Sequence, residues 1–288
     1  TAHRLFQACV DNTSFDLNAE LQALHKVVER HALGPSTHQI VEAARRRRIP
    51  VLRMQNSNLI QLGHGACQEQ IWGAETSKTS AIADGIAGDD ELCRQILSRC
   101  GVPTPDEDEV DATEQAARDH KQFYRLLMMK GQLVAASRLL PSGEVQDVTP
   151  LVHPQVERVA SLAAKVVGLN IAGVDLVCEH IDQAPEHQQL AILRLACRPD
   201  LTLHNNLHTE DGRGVADMIV DSLFGPEQDG RIPLVSYSGG DESRGLGQAL
   251  HALLTMAGYK VGLASSKNLT LVDNRVDHKN PTDWFAGR

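Results

Sequence analysis

Two apolar runs lie close together in the sequence and carry opposite charges. Residues 171–177 read IAGVDLV and residues 191–197 read AILRLAC, with the polar stretch EHIDQAPEHQQ between them. Short apolar runs flanked by turn residues predict a pair of buried strands. The first run delivers one carboxylate, Asp175. The second delivers Arg194, at a place where a metal site needs another acid, because a hard cation takes oxygen ligands. Buried carboxylates survive only when paired or ligated, so this pair is either a working metal site or the remains of one.

Other chemistry-bearing residues are less organised. Thirteen histidines occur without an HExxH pattern. His204 and His208 are four apart, which would align them on a helix, but Pro199 and Asn205-Asn206 predict strand and loop, so scattered surface histidines are expected. Six cysteines (Cys9, Cys67, Cys93, Cys100, Cys178, Cys197) form no CxxC pair, and several sit inside apolar patterns. The expectation is a reduced, cytoplasmic protein. Arg45 to Arg48 form a run of four cations that invites an anion-site reading. The expected role is to offset the dipole at the end of a helix.

The elements that must position these groups follow from periodicity. Residues 15–32 place Leu17, Leu21, Leu24, Val27 and Val28 on one helical stripe, with Asp16 as its cap. A turn, LGPST (33–37), leads to a helix over 38–48 capped by Ser36 or Thr37, then to short strands at 49–54 and 59–63. Asp89 is the expected N-cap of a helix that Gly101 stops. Residues 106–114, rich in acids, predict a linker or solvated loop. Residues 123–129 and 132–138 around Gly131 predict a β-hairpin, and 154–167 predict an amphipathic helix ended by Gly168. A helix over 214–224 precedes a break at 226–230. Beyond it, 231–236, 245–257 and 260–266 predict strand, helix and strand, a βαβ unit.

At 288 residues, with 42% apolar and 23% charged residues, the composition is that of a globular protein. Only 3% of residues are aromatic and the formal charge is −9, which argues against a nucleic-acid or anionic-membrane surface. No apolar run approaches the ~20 residues of a membrane helix, and no signal-peptide pattern is seen at the start.

Several phrases occur in an order that resembles the cyanophycin synthetases, ATP-grasp ligases fused to a Mur-ligase-like module. They are LGPST (33–37), RRIP (47–50), LGHG (62–65), AETSKTSAIA (74–83), GVP (101–103), VGLNIAGVD (167–175) and GRIP (230–233). The resemblance implies an α/β (α+β) chain: a shortened ATP-grasp-like fold followed by a partial Mur-ligase-like, P-loop-type βαβ unit. It divides the chain into a pre-ATP-grasp segment (1–72), a truncated ATP-grasp-like domain (73–225) and a partial Mur-like segment (226–288). The family joins a carboxylate to an amine through an acyl phosphate, with ATP and Mg²⁺.

Against that pattern the sequence departs at each element of the chemistry. A glycine-rich phosphate loop is expected between Pro105 and Asp119, where the chain reads DEDEVDATEQAAR. Asp175 matches the family's first metal carboxylate. In the second strand, Arg194 stands for the bridging Glu, Ala196 for the Asn and Asp200 for a Gly. In the P-loop frame, Ser243 and Arg244 replace Lys and Thr. Arg125, Arg138 and His204 match positions near the nucleotide. The resemblance therefore implies a remnant nucleotide site of Arg125, Arg138 and His204, a remnant metal position at Asp175 paired with Arg194 instead of Mg²⁺, and no intact catalytic residue. The expected function is a catalytically degenerate pseudoenzyme acting as scaffold, partner or regulatory subunit, without cofactor. It would form a homo-oligomer or a hetero-oligomer with an active homologue, with no nucleic acid and no membrane involved. Two alternatives stay open: an active carboxylate–amine ligase using ATP and Mg²⁺ in an atypical site, and a binding module for cyanophycin-like or acidic peptide using Arg45–Arg48 or the hairpin arginines.

Overall fold

The computed structural model describes residues 1–55, 57–106, 109–119, 122–204, 214–239, 241–264, 268–271 and 274–277. The chain is mixed α/β and separates into two compact units, Thr1–Arg231 and Ile232–Arg288.

The first unit opens with helices α1 (Ala2–Val10), α2 (Leu17–His31) and α3 (Pro35–Arg46). Asp16 caps α2 by accepting from the Ala19 amide. Gly34 is the N-cap of α3 and Pro35 fills its first position, where a missing N–H costs nothing. Ser36, expected as a cap, lies inside the helix, and its hydroxyl accepts from the Leu201 amide instead. Ile40, Val41, Ala43 and Ala44 give α3 its buried face. Strands β1 (Val51–Arg53), β2 (Leu59–Leu62), β3 (Glu69–Trp72) and β4 (Glu75–Thr76) then form an antiparallel sheet in sequence order.

Next come α4 (Ala81–Ala87), α5 (Asp90–Arg99), α6 (Val110–Asp119), β5 (Phe123–Met129), β6 (Gln132–Leu139), β7 (Val145–Asp147), α7 (Pro154–Val167), β8 (Ile171–Cys178), β9 (Leu190–Ala196) and α8 (Val215–Leu223). Asp89 caps α5 through the Leu92 amide, and Gly101 follows its last turn at φ +76°. The acidic stretch is not all loop. From Val110 it becomes α6, which packs against β5 and β8. The β5–β6 hairpin turns on Lys130 and Gly131, both at positive φ as a two-residue turn requires. The positive φ at Gly131 (+74°) favours glycine there.

Strands pair antiparallel in the order β7-β6-β5-β8-β9. All eight residues of β8 are buried, which explains its near-continuous apolar run: helices or strands cover both of its faces. Strand alternation sends Tyr124, Leu126, Met128, Val174 and Leu176 into one core with α4, α5 and α7. The other face sends Leu127, Ala135 and Ile171 into a second core with α3, α8, β2 and β3. Farther along that face, Phe123, Val177 and Leu193 form a third, small apolar cluster.

The second unit holds α9 (Asp241–Met256) and an antiparallel sheet of β10 (Gly262–Ala264), β11 (Asn268–Leu271) and β12 (Asn274–Asp277). The expected βαβ unit is not what forms. Residues 231–239 contain no strand, and β10 pairs antiparallel with β11 rather than joining a parallel sheet. Leu234 and Val235 are exposed, and among the described residues no strand pairs with them. Residue 240 and the side chains of 241–244 in the former P-loop frame lie outside the described residues.

Candidate functional site

The second face of the five-stranded sheet carries a polar row between its two apolar clusters. Ser137 on β6 is the ladder partner of Arg125 on β5. Arg125 is the partner of Asp175 on β8, and Asp175 the partner of Arg194 on β9. Four chemistry-bearing side chains thus start from one line across four strands.

The Arg125 guanidinium grips both oxygens of Asp175, Nε on Oδ1 and Nη2 on Oδ2, the latter at 2.6 Å. Asp175 is 7% exposed. This parallel two-bond pairing is the strongest geometry available to an arginine and a carboxylate. It also raises the Arg125 guanidinium above its ordinary value, with Asp175 the main cause and burial opposing. The carboxylates of Asp200 and Glu114 add to the negative field on Arg125.

Sequence reasoning placed Arg194 on Asp175, and the structure corrects this. Arg194 is half-exposed and reaches Asp90 on α5 at 3.6 Å. Two physical causes act together. The Arg125 fork already occupies both oxygens of Asp175. The ladder between β8 and β9 is also irregular at Asp175 and Leu176, on an edge strand, which frees Arg194 to turn towards α5.

Arg138 is the second correction. It sits opposite Tyr124, one residue out of phase with Arg125, so it points to the other face of the sheet. There Nη2 donates to the Tyr124 hydroxyl at 2.7 Å and the guanidinium lies 5.1 Å from the ring centre. The remnant set is therefore split: Arg125 and His204 share a face, and Arg138 does not join them.

His204 closes the row from a short turn of 3₁₀ helix over Leu201–His204. It is 2% exposed, with Nδ1 2.9 Å from the Ser137 hydroxyl. The Ser137 hydroxyl also lies 3.0 Å from the Leu203 carbonyl. If the Ser137 proton goes to Leu203, Nδ1–H donates to the hydroxyl and Nε2 is the bare nitrogen; if it goes to Nδ1, Nε2 carries the hydrogen. Nε2 is buried and has no partner among the described residues. Burial, with the Arg125 cation as a second cause, lowers His204 to about 4, so it is neutral at physiological pH. His208 lies outside the described residues. Ser137 was not found from sequence. The available signal was a polar residue in the middle of an apolar hairpin strand, directly opposite Arg125.

A second group was also missed. Glu75 on β4, Asp84 on α4 and Cys197 after β9 bring three potential ligand atoms within 4.8 Å of one another. Arg198 already serves them, bonding Glu75 at 2.8 Å and Asp84 at 3.4 Å while stacking over Trp72. Burial and Asp84 push the Cys197 thiol up to about 11, so it stays protonated. The Arg45–Arg48 run is likewise largely spoken for. Arg45 pairs with Glu42, Arg46 with Asp217 and Arg47 with Asp221. The last two tie α3 to α8.

Whether Mg²⁺ fits the row can be judged from its donors. A divalent hard cation wants several oxygens. Here Asp175 is held in a guanidinium fork, the facing strand offers Arg194 and Ala196, and His204 is a buried nitrogen donor. The residues do not fit the metal.

No family model matches the chain. Cyanophycin synthetase from Nostoc sp. is 22% identical over 408 residues, covering 98% of this chain and 45% of the relative. That of Geminocystis herdmanii is 21% identical over 393 residues, covering 93% and 45%. Over nearly its whole length the chain is similar to cyanophycin synthetase. It spans about half the length of these curated relatives. At least 120 of the 408 aligned positions lie opposite gaps in this chain's 288 residues, so part of the length difference falls inside the matched region. The glutathione biosynthesis bifunctional protein of Clostridium perfringens is 30% identical over 88 residues, 31% of this chain and 11% of that one. Among solved structures, the bifunctional glutathione synthetase from Pasteurella multocida superposes with a TM-score of 0.55 at 11% identity, covering 67% of this chain and 44% of that one. The cyanophycin synthetase-like chain has an ATP-grasp-like fold. Among its described residues no helix is long and apolar enough to cross a membrane.

Proposed function

We propose that this ATP-grasp-like chain is a non-catalytic member of an ATP-dependent ligase family, acting as a scaffold, partner or regulatory subunit. The observation that carries the reading is the Arg125 fork on Asp175. In a ligase of this kind the carboxylate would hold Mg²⁺ bridging the phosphates of ATP. Here a permanent cation holds it from within the chain. Displacing Arg125 would leave a partly buried guanidinium unpaired, a cost of about 3 kcal/mol that any metal would have to exceed. Arg194, Ala196 and Asp200 at the other family positions agree with this reading. So does α6, which places the Glu114 carboxylate in the field of Arg125 where a phosphate-binding group would be cationic.

The test is a thermal-shift titration with ATP and Mg²⁺. A ligand at 100 times its Kd stabilises a native protein by about 2.7 kcal/mol. We expect no shift at millimolar ATP and Mg²⁺, in wild type or in Asp175→Ala. A shift of several degrees in wild type, lost in Asp175→Ala, would restore the ligase reading. The peptide-module alternative has little support, because three of the arginines it would use are paired with acids of the same chain.

A further inference from the structure

Glu75, Asp84 and Cys197 are the one group among the described residues that brings three metal-ligating atoms together, all within 4.8 Å of one another. They arrive from three parts of the chain, and each is anchored in its own element. Glu75 lies in the β3–β4 hairpin as the ladder partner of Trp72. Asp84 stands on α4, whose start Ser80 caps through the Ala83 amide and whose Ala83 and Ala87 enter the core. Cys197 follows β9 and packs against the same core. Two observations set the group apart from an acidic patch. Its donors are mixed, a thiol beside two carboxylates, a set that suits a borderline metal such as zinc and not Mg²⁺. It also seats a cation already: the Arg198 guanidinium reaches Glu75 at 2.8 Å and the two oxygens of Asp84 at 3.4 and 3.5 Å.

We propose that these three side chains form a zinc site, with Arg198 as the cation that zinc displaces. Arg198 is loosely held. Its side chain is 49% exposed, its bonds to Asp84 are long, and the half-exposed Trp72 ring lies 5.7 Å away, where the guanidinium can rest once displaced. An ion pair so exposed is screened by water and adds little, so a metal has little to overcome. The Arg125 fork is the opposite case, because it grips both oxygens of a buried carboxylate. When zinc binds, the Cys197 thiol gives up the proton that it now donates to Asp84 at 2.9 Å, and that proton leaves to solvent. The thiolate and the two carboxylates then fill three of the four tetrahedral positions, with water in the fourth. The ion joins β4, α4 and the end of β9, so it stabilises the folded chain. The inference is independent of how the polar row is read.

Titration of the full chain with Co²⁺ and Zn²⁺, after treatment with a chelator, tests it. The expected result is one tightly held ion per chain, a Co²⁺ spectrum with a thiolate-to-metal charge-transfer band that Zn²⁺ bleaches, and a higher unfolding midpoint with micromolar Zn²⁺. Cys197→Ser should abolish the band and weaken zinc binding by more than about tenfold. Arg198→Ala leaves every ligand in place and removes only the competing cation, so it should strengthen zinc binding several-fold. That variant keeps the test decisive if Cys197→Ser folds poorly, because Arg198 is half-exposed. A wild-type chain without a thiolate band at millimolar Co²⁺ overturns the proposal. So does a band that survives in Cys197→Ser, which would put the metal on another cysteine, or an Arg198→Ala chain that binds zinc no better than wild type.

Discussion

The two faces of the five-stranded sheet are made by alternate residues of the same strands, and they solve opposite problems. On the face towards α4, α5 and α7 the apolar side chains form one continuous core, and Arg138 is accommodated at its margin by the Tyr124 hydroxyl and ring. On the other face a polar row divides two apolar clusters that would otherwise meet. The difference teaches which face houses the candidate site. A core built only for stability has no use for a line of Ser, Arg and Asp across its centre. Its central pair is stable because the Arg125 and Asp175 charges satisfy each other. A buried pair is hard to lose one residue at a time: removing either partner strands the other.

That asymmetry gives the largest expected effect. Asp175→Ala should destabilise the chain by about 3 kcal/mol, the lower end for breaking a buried pair, because the Arg125 side chain left without its carboxylate is still 24% exposed. Leu176→Ala, one residue along and facing the other way, should cost about 2–5 kcal/mol through its cavity. The two losses are similar in size and differ in how they can be repaired. Adding Arg125→Met to Asp175→Leu should return stability to near the wild-type value, since a matched apolar pair needs no charge compensation. Urea denaturation of the four proteins would check this. A double variant as unstable as Asp175→Ala would mean that the row contributes more than pairing.

His204 tests the same face through pH. Its native imidazole is held neutral down to about 4, whereas the unfolded chain's takes up a proton near 6.5. Between those values the unfolded state binds more protons, so stability falls as pH falls from 6.5 towards 4 and is fully present above 6.5. At pH 5 the loss attributable to this residue should be about 2 kcal/mol relative to pH 7.5. Unfolding midpoints of wild type and His204→Gln at pH 7.5 and 5 would isolate it from the carboxylates, which titrate in both proteins. Equal slopes in the two proteins would remove His204 as a pH-sensitive element.

Much of this architecture was legible in the sequence, and the misses have physical reasons. The β5–β6 hairpin, α7 with its Gly168 stop, and the facing runs of β8 and β9 all follow from local periodicity and turn chemistry. Asp175 was recognisable as a charge inside a buried strand. Its partner was not. Sequence adjacency favoured Arg194, but a central strand has two ladder neighbours, and the deciding one, β5, enters 50 residues earlier. Ser137 was hidden for the same reason, since its role exists only through register. Arg138 was misplaced by treating two hairpin arginines as a set, when the pairing of Tyr124 with Arg138 puts them out of phase. The helix at Val110 was masked by the acids around it, whose charge reads as loop although Val110 to Asp119 form a helix. In the second unit, apolar runs at 231–236 and 260–266 matched a βαβ unit in spacing, but the strand that forms takes its partner from the residues that follow it.

The smallest expected effect separates the two arginines that the sequence could not tell apart. Arg194 has a side chain 54% exposed and meets Asp90, itself 52% exposed, at 3.6 Å. An ion pair in that position is screened by water and typically contributes well under 1 kcal/mol. Arg194→Ala should therefore change stability by no more than ~0.5 kcal/mol, and it should do so equally in wild type and in Asp175→Ala, because residues without a shared interaction add independently. Arg125→Ala in the same two backgrounds should be strongly non-additive. Its cost should be large beside the intact carboxylate and small or favourable once Asp175 is gone. If Arg194 were the residue coupled to Asp175 by more than about 1 kcal/mol, the assignment of the fork to Arg125 would be wrong, and so would the reading of the site as closed by it.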